Sequence, residues 1–380
     1  MSHLPDADRV GTLIGSYRLE EVLGRGAMGT VFRAVHAYIG RPCALKLLGA
    51  KWAEDEEALA RFLREARAAS AVSSPHIVDV TDFGRDVDGR PYYVMELCVG
   101  RTLEAAIQGG VPLALHRTLH VADQIAAGAG AAHDVGIVHR DLKPENVMLL
   151  SRAGRRTLVE QTADGALRAG PEPTWELVKL LDFGVAHVSS AHIAGAAAPI
   201  SATDAGMVLG TPEYMSPEAA SGERVDARAD VYALGTVIYD MLVGTPPFRG
   251  GTAVEILARQ ISEAPVPPRE ARPDAEITPA LEALVMAMLA KDPAARPPDM
   301  TAVRAGLAAS YGTIMFRRNA AARGGLVLPR APVSPARELA HGSAVEEVVD
   351  QGAAPLVGQS PTSLPERGTE SAPILLTRRT

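Results

Sequence analysis

The sequence predicts an α+β protein of two lobes: a small antiparallel β-sheet lobe that carries one helix, followed by a larger, mainly α-helical lobe. Three observations carry that expectation. Residues 17–98 consist mostly of short β-rich runs punctuated by turn residues. A single stretch among them has helical periodicity, and beyond Gly100 the chain changes to long segments with apolar residues near every 3.6 positions.

The runs "YRLEEVLG", "TVFRAVH", "PCALKLL", "HIVDVTDFG" and "PYYVMEL" read as the strands of the first lobe. The helix falls between the third and fourth, over residues 54–72. There Leu59, Phe62, Leu63 and Ala66 stand at i, i+3, i+4 and i+7, with Glu65 beside that apolar face. In the second lobe, residues 99–311, "HRTLHVADQIAAGAGAAHD", "ADVYALGTVIYDMLVG" and "PALEALVMAMLAKD" read as helices. A β-like pair, "IVHRDLKPENVMLL" and "ELVKLLDFG", is embedded among them and is interrupted by a polar, Gly- and Arg-containing stretch over residues 151–176, read as an inserted surface loop. Residues 312–380 are rich in Pro, Ala, Gly and isolated charges without a sustained period, and read as a disordered tail. Residues 1–16 read as a flexible leading segment.

With 380 residues of which 47% are hydrophobic, the chain can bury a sizeable core, which excludes disorder throughout. The net charge of -7 argues against a dedicated nucleic-acid binder, so no nucleic-acid partner is expected. Two cysteines, Cys43 and Cys98, each inside an apolar run, fit small buried residues of a reducing compartment, and no zinc-ligand spacing exists. No basic start leads into an apolar segment, and no window approaches the ~20 apolar residues that span a bilayer. A cytoplasmic protein without a membrane span is expected.

Four stretches carry chemistry. In "LGRGAMGTV", Gly24, Gly26 and Gly29 have the spacing that lets backbone amides approach phosphates. A second strand follows at once rather than a helix, so the glycines make either a lid over phosphates or an ordinary hairpin turn. Lys46 stands among Cys43, Ala44, Leu45, Leu47 and Leu48. Its ammonium either finds an anion, a phosphate or Glu65, or lies on the solvent face of a half-exposed strand. "LLDFGVAH" places Asp182 where a β-run ends in a permissive turn, a position suited to a magnesium ligand, and Asn146 with Asp182 would suffice for Mg²⁺. In "HRDLKPEN", His139, Arg140, Asp141, Lys143, Glu145 and Asn146 crowd into eight positions, far more polar chemistry than a turn between buried strands requires.

Taken in order, the glycine loop, strand lysine, helix glutamate, "HRDLKPEN", "DFG" and "SPE" resemble the eukaryotic-type protein serine/threonine kinases, most closely the bacterial members. The resemblance covers residues 17–311 and implies the bilobal protein-kinase fold, with ATP and Mg²⁺ in the cleft between the lobes. It implies that Asp141 accepts or orients the substrate hydroxyl proton, that Lys143 steadies the γ-phosphate, and that Asn146 and Asp182 hold metal. By the same resemblance Lys46, braced by Glu65, holds the α- and β-phosphates. Leu23, Val31, Ala44 and Met148 lie against the nucleotide, Met95 stands at the gate, and backbone groups of Glu96 and Cys98 read the base. Thr211 joins Asp141 and Lys143, and residues 210–217 seat a protein substrate bearing Ser or Thr. Glu218 pairs with Arg296, Asp230 braces the catalytic loop, and His139 packs near Phe183. Arg140 implies a phosphate on the activation loop, with Ser201 and Thr203 as candidate acceptors, modified in trans through a transient homodimer.

The long connection from Asn146 to Asp182 departs from the family, which has a tight hairpin there, and Ser216 replaces the commoner alanine. Many bacterial relatives continue through a membrane segment into an external sensor, and none is expected here. A pseudokinase scaffold is the competing reading, but such proteins lose one of the groups matching Lys46, Asp141 or Asp182, and all three stand. A small-molecule kinase of the aminoglycoside type lacks the combined glycine loop, activation segment and Glu218–Arg296 bracket.

Overall fold

A computed structural model describes residues 6–26, 28–151, 159–161, 167–169, 176–183 and 211–322. The first lobe is one antiparallel sheet built from β1 (Leu13–Ile14), β2 (Tyr17–Arg25), β3 (Gly29–His36), β4 (Pro42–Leu48), β5 (Val80–Arg85) and β6 (Pro91–Met95), in the order β1-β2-β3-β4-β6-β5. Successive side chains of a strand alternate between faces. Cys43, Leu45 and Leu47 therefore join Ile14, Phe32, Tyr92 and Val94 in an outer core, while Ala44, Leu48, Tyr93 and Met95 join the main core with Phe62. Both faces of β4 are buried, which is why it reads as an apolar run broken only by Lys46. Helix α1 (Glu56–Ala71) crosses between β4 and β5 and begins at Asp55, whose carboxylate accepts the amides of Glu57 and Ala58 at 2.9 and 3.0 Å.

The leading segment departs from its expected flexibility. Residues 6–9 form a 3-10 turn, Arg9 is buried between the carboxylates of Asp86 and Asp88, and Ile14 is fully enclosed. Leu19 and the Gly11–Thr12 stretch exchange backbone hydrogen bonds of 2.8 and 3.0 Å. Ion pairs to a distant hairpin leave no periodic trace in the sequence, so this docking was not visible there.

The second lobe begins with β7 (Gly100–Thr102) and α2 (Leu103–Ile107), then α3 (Leu115–Asp134). Strands β8 (Val147–Ser151) and β11 (Glu176–Leu180) pair antiparallel, with Ser151 opposite Glu176 and Val147 opposite Leu180. The inserted stretch thus leaves and returns at one closed end of a ladder. Within it β9 (Val159–Gln161) and β10 (Leu167–Ala169) pair with each other. Glu176 is clamped by the guanidinium of Arg117 at 2.6 and 2.7 Å, which fixes the return point against α3. The remaining helices are α4 (Pro217–Ala220), α5 (Arg228–Val243), α6 (Ala253–Ser262), α7 (Pro268–Ala271), α8 (Pro279–Met288) and α9 (Met300–Ala322). Helix α5 is buried on all sides and stops at Gly244 (φ 93°), where a Cβ would lie 2.4 Å from the carbonyl oxygen of Gly110. Helix α9 runs to Ala322, past residue 312 where the tail was expected to begin; its last turns are rich in alanine and arginine, which favour helix. Among the described residues no helix is long and apolar enough to cross a membrane.

Arg296 and Glu218 hold this lobe together at its base. The guanidinium meets both carboxylate oxygens at 2.8 and 2.7 Å and donates to the carbonyls of Ala290, Arg228 and Lys291 at 2.8, 2.9 and 3.1 Å. Every N–H of the arginine is thereby used, and its plane lies 4.9 Å over the Tyr232 ring. Burial pushes the Glu218 carboxyl up, but Arg296 outweighs it and the group is held below the usual carboxylate range. Removing one partner strands the other charge in the interior. Arg296→Ala or Glu218→Gln is expected to cost about 3 to 5 kcal/mol, read as a shift in the urea unfolding midpoint at unchanged slope.

Candidate active site

Lys46, the expected strand lysine, is not on a solvent face. The register of β4 with β6 puts it opposite Tyr93, on the side facing α1, where it is 8% exposed. Its ammonium reaches the Glu65 carboxylate at 2.6 Å and Asp182 at 3.0 Å. The Tyr93 hydroxyl donates to the same Glu65 oxygen at 2.6 Å. Burial works against the Lys46 charge, yet Asp182 and Glu65 more than restore it and its pKa is raised. Burial pushes the Glu65 carboxyl up to about 7 against the pull of Lys46. For Asp182 the effect of burial is outweighed by the ammonium, so its carboxyl is held low, and 45% of its side chain remains open to the cleft.

A second cluster lies on the loop between α3 and β8. Lys143 approaches Asp141 Oδ2 at 3.0 Å, and the Asn146 amide donates to that oxygen at 2.9 Å and to the Asp141 carbonyl at 2.7 Å. The loop turns through Arg140 at φ 65°, a left-handed conformation that costs a non-glycine residue energy. Asp230, 1% exposed on α5, offsets that cost: its carboxylate accepts the backbone amides of His139 and Arg140, both at 2.8 Å, and contacts the His133 ring at 2.7 Å. Burial raises the Asp230 carboxyl, but these partners hold it below its ordinary value.

The two clusters meet through one residue. Leu181 donates its amide to the Asn146 carbonyl at 2.9 Å, and its carbonyl lies 3.1 Å from His139 Nε2. The Asp141 amide donates to His139 Nδ1 at 3.3 Å. The same ring lies 4.8 Å from Phe183, as expected for a structural histidine. Asp182 follows Leu181 in a left-handed conformation, φ 44°.

Around these clusters Ala44 and Met95 are buried, and Val31, Cys98 and Met148 are half-buried. The Glu96 amide is spent on the Asp79 carbonyl at 2.9 Å, and its side chain receives the Asp79 amide at 2.9 Å and an ion pair from Lys179. What Glu96 has left for a base is its carbonyl. Leu23 is exposed at the edge of β2. The glycines divide: a Cβ on Gly29 would lie 2.1 Å from the Leu47 carbonyl, so that glycine serves strand packing, whereas a Cβ on Gly24 would meet nothing within 4 Å. Open space over Gly24, a buried ammonium and a half-open carboxylate suit a phosphate chain with a divalent cation. Among the described residues no cluster of three or more His, Cys, Asp or Glu side chains could cage a metal. Thr211 opens the turn Pro212–Tyr214 with no capping hydrogen bond from its side chain. Ser201 and Thr203 lie outside the described residues.

Tyr93, Lys179 and His133 were missed in the sequence. Period-two alternation places Tyr93 on the same face as Met95, but only the strand register sets it against Lys46. Lys179 and His133 act through partners 83 and 97 residues away, which no local pattern reveals.

The sequence profile of the protein kinase domain matches residues 17–306. The chain belongs to the protein kinase family. The serine/threonine-protein kinase pkn3 of Myxococcus xanthus is 39% identical over 307 residues, which cover 80% of this chain and 52% of that protein. PknB of Mycolicibacterium smegmatis, also a serine/threonine-protein kinase, is 37% identical over 294 residues, 77% of this chain and 42% of the relative. The chain therefore spans about half or less of the length of these relatives. Its fold matches the crystal structure of the Mycobacterium tuberculosis PknI kinase domain with a TM-score of 0.56 at 24% identity, covering 82% of this chain and all of that one.

The raised Glu65 carboxyl has a measurable sign. Its folded pKa of about 7 lies above an unfolded value of about 4.3, so its contribution to stability is present below about pH 4 and is lost as pH rises through about 7. Urea midpoints of wild type and Glu65→Gln at several pH values should show the wild type losing ground to the variant across that window, by at most ~1.4 kcal/mol per pH unit. A constant difference would mean that Glu65 is ionised throughout.

Proposed function

We propose that this chain is a protein serine/threonine kinase that transfers the γ-phosphoryl group of ATP to hydroxyls of protein substrates. One observation carries the reading. The Lys46–Glu65–Asp182 network and the Asp141–Lys143–Asn146 cluster are joined by Leu181, whose amide bonds the Asn146 carbonyl and which directly precedes Asp182. Phosphoryl transfer asks a protein chiefly to position reactants and offset charge, and these are the groups that do so.

In this reading Asp141 Oδ2 orients the substrate hydroxyl and receives its proton, while Asn146 fixes that carboxylate. Lys143, within ion-pair distance of Asp141, offsets charge on the phosphoryl group in flight. Lys46 holds the α- and β-phosphates, its position set by Glu65 and Tyr93. Asp182 and Asn146 would hold the divalent cation, Mg²⁺ in our reading, which neutralises phosphate charge when bound. Val31, Ala44, Met148 and Leu23 give the adenine its apolar walls, Met95 limits the depth of the pocket, and the Glu96 carbonyl with the Cys98 amide reads the base. Thr211 and the turn after it seat the substrate. The catalytic domain extends over residues 17–311, with residues 6–16 packed onto it.

Arg140 supports a regulatory extension of this reading. Its Nε is buried with no hydrogen-bond partner among the described residues, and burial lowers its pKa, though Asp230 opposes the shift. A phosphate on Ser201 or Thr203, placed by a second copy in trans, would supply that partner.

With labelled ATP and Mg²⁺, wild type should label Ser or Thr, and Lys46→Met and Asp141→Asn should each reduce labelling by at least about a hundredfold. A wild type that binds ATP but never labels protein would point to a scaffold instead. Mass spectrometry of active protein should find phosphate within residues 189–209, and an unmodified loop in fully active protein would sink the autophosphorylation step.

A further inference from the structure

The turn Pro212–Tyr214 that seats the substrate in the reading above is weakly held by itself. Residues 211–215 are all half-buried, and the turn's own hydrogen bonds, Tyr214 to Thr211 and Met215 to Pro212, are long at 3.3 Å. Two side chains reach it from the helices beneath. One is Asp240 of α5, which accepts the Tyr214 hydroxyl at 2.7 Å. The other is Gln260 of α6.

Gln260 is fully buried, on the face of α6 that it shares with Ile256, where an apolar residue would be the simpler choice. Its amide Nε2 donates to the carbonyls of Glu213 and Pro212 at 2.6 and 3.2 Å. Its Oε1 accepts the Tyr232 hydroxyl at 2.5 Å, and its backbone carbonyl accepts the Lys291 ammonium at 2.7 Å. Tyr232 in turn lies under Arg296, so the amide connects the substrate-side turn to the Glu218–Arg296 pair. Each polar group of this glutamine side chain is matched, and both donors go to the turn.

We propose that Gln260 is a positioning residue for protein-substrate recognition: it fixes the Pro212–Glu213 peptides from below and thereby sets the surface on which the acceptor segment lies. The proposal rests on the kinase reading for its kinetic consequence and on geometry alone for its structural one. It acts on the protein substrate and leaves the nucleotide side of the cleft untouched, because none of its partners belongs to the Lys46 or Asp141 clusters.

The test compares Gln260→Met, which keeps length and removes both donors, with Tyr232→Phe, which keeps the ring under Arg296 and leaves both amide donors on the turn. Dephosphorylated casein serves as substrate, and amide hydrogen exchange is followed at Tyr214 and Met215. Gln260→Met should raise the KM for casein about tenfold, leave the KM for ATP within about twofold, and speed exchange at Tyr214 and Met215. Tyr232→Phe should change none of the three. If Gln260→Met folds poorly because the Tyr232 hydroxyl is stranded, the double variant Gln260→Met/Tyr232→Phe is measured in its place. An unchanged casein KM, a matching rise in the KM for ATP, or the same effects in Tyr232→Phe would overturn the proposal. Should wild type phosphorylate nothing, the kinase reading fails and exchange still decides: faster exchange only when Gln260 is changed supports the positioning role, and unchanged exchange refutes it.

Discussion

A buried ammonium ties the two lobes together at the site of the chemistry. Lys46 comes from the sheet, Glu65 from the helix that crosses it, and Asp182 from the loop after β11 in the other lobe. An unpaired charge in that position would be too costly to keep, so the three elements are mutually dependent. The arrangement is also unequal. Glu65 is enclosed and supported by Tyr93, whereas Asp182 is half-open, so the contact within the first lobe is the firmer one and the contact across the cleft is the one that a phosphate or cation can share.

The second lobe meets a different constraint. Its functional loops turn through left-handed conformations at Arg140 and Asp182, both non-glycine residues. Such conformations persist when the surroundings determine them more than once. Asp230 does this for the first by taking two adjacent amides, and the Leu181 peptide, bonded on both sides to the neighbouring loop, does it for the second. Because Asp230 sits on the most buried helix of the lobe, the precision of the loop is inherited from the core.

Much of this was legible in the sequence. The strand and helix periods, the glycine spacing and the "HRDLKPEN" and "DFG" stretches place the two lobes and most of the cleft residues, since each depends on neighbours a few positions away. What was not legible depends on register or on distant partners. Tyr93 beside Lys46 requires the pairing of β4 with β6, and Lys179 beside Glu96 requires a lobe-to-lobe approach. The docking of Arg9 on the β5–β6 hairpin joins residues whose local text looks like loop. The amide of Gln260 was hidden for the opposite reason: it sits on the buried face of an ordinary amphipathic helix, where sequence patterning expects only packing.

The closed ladder of β8 and β11 bears on how such a chain can change over time. Ser151 and Glu176 stand opposite each other at the end of the β8–β11 register, and Arg117 clamps the second of them, so the two ends of the inserted stretch are held together whatever lies between them. The entropy of closing a loop grows only with the logarithm of its length, at about 0.6 kcal/mol per doubling. Lineages can therefore lengthen, shorten or replace this stretch at little thermodynamic cost while the cleft stays as it is. The site is a port at which new sequence can be tried without putting the chemistry at risk.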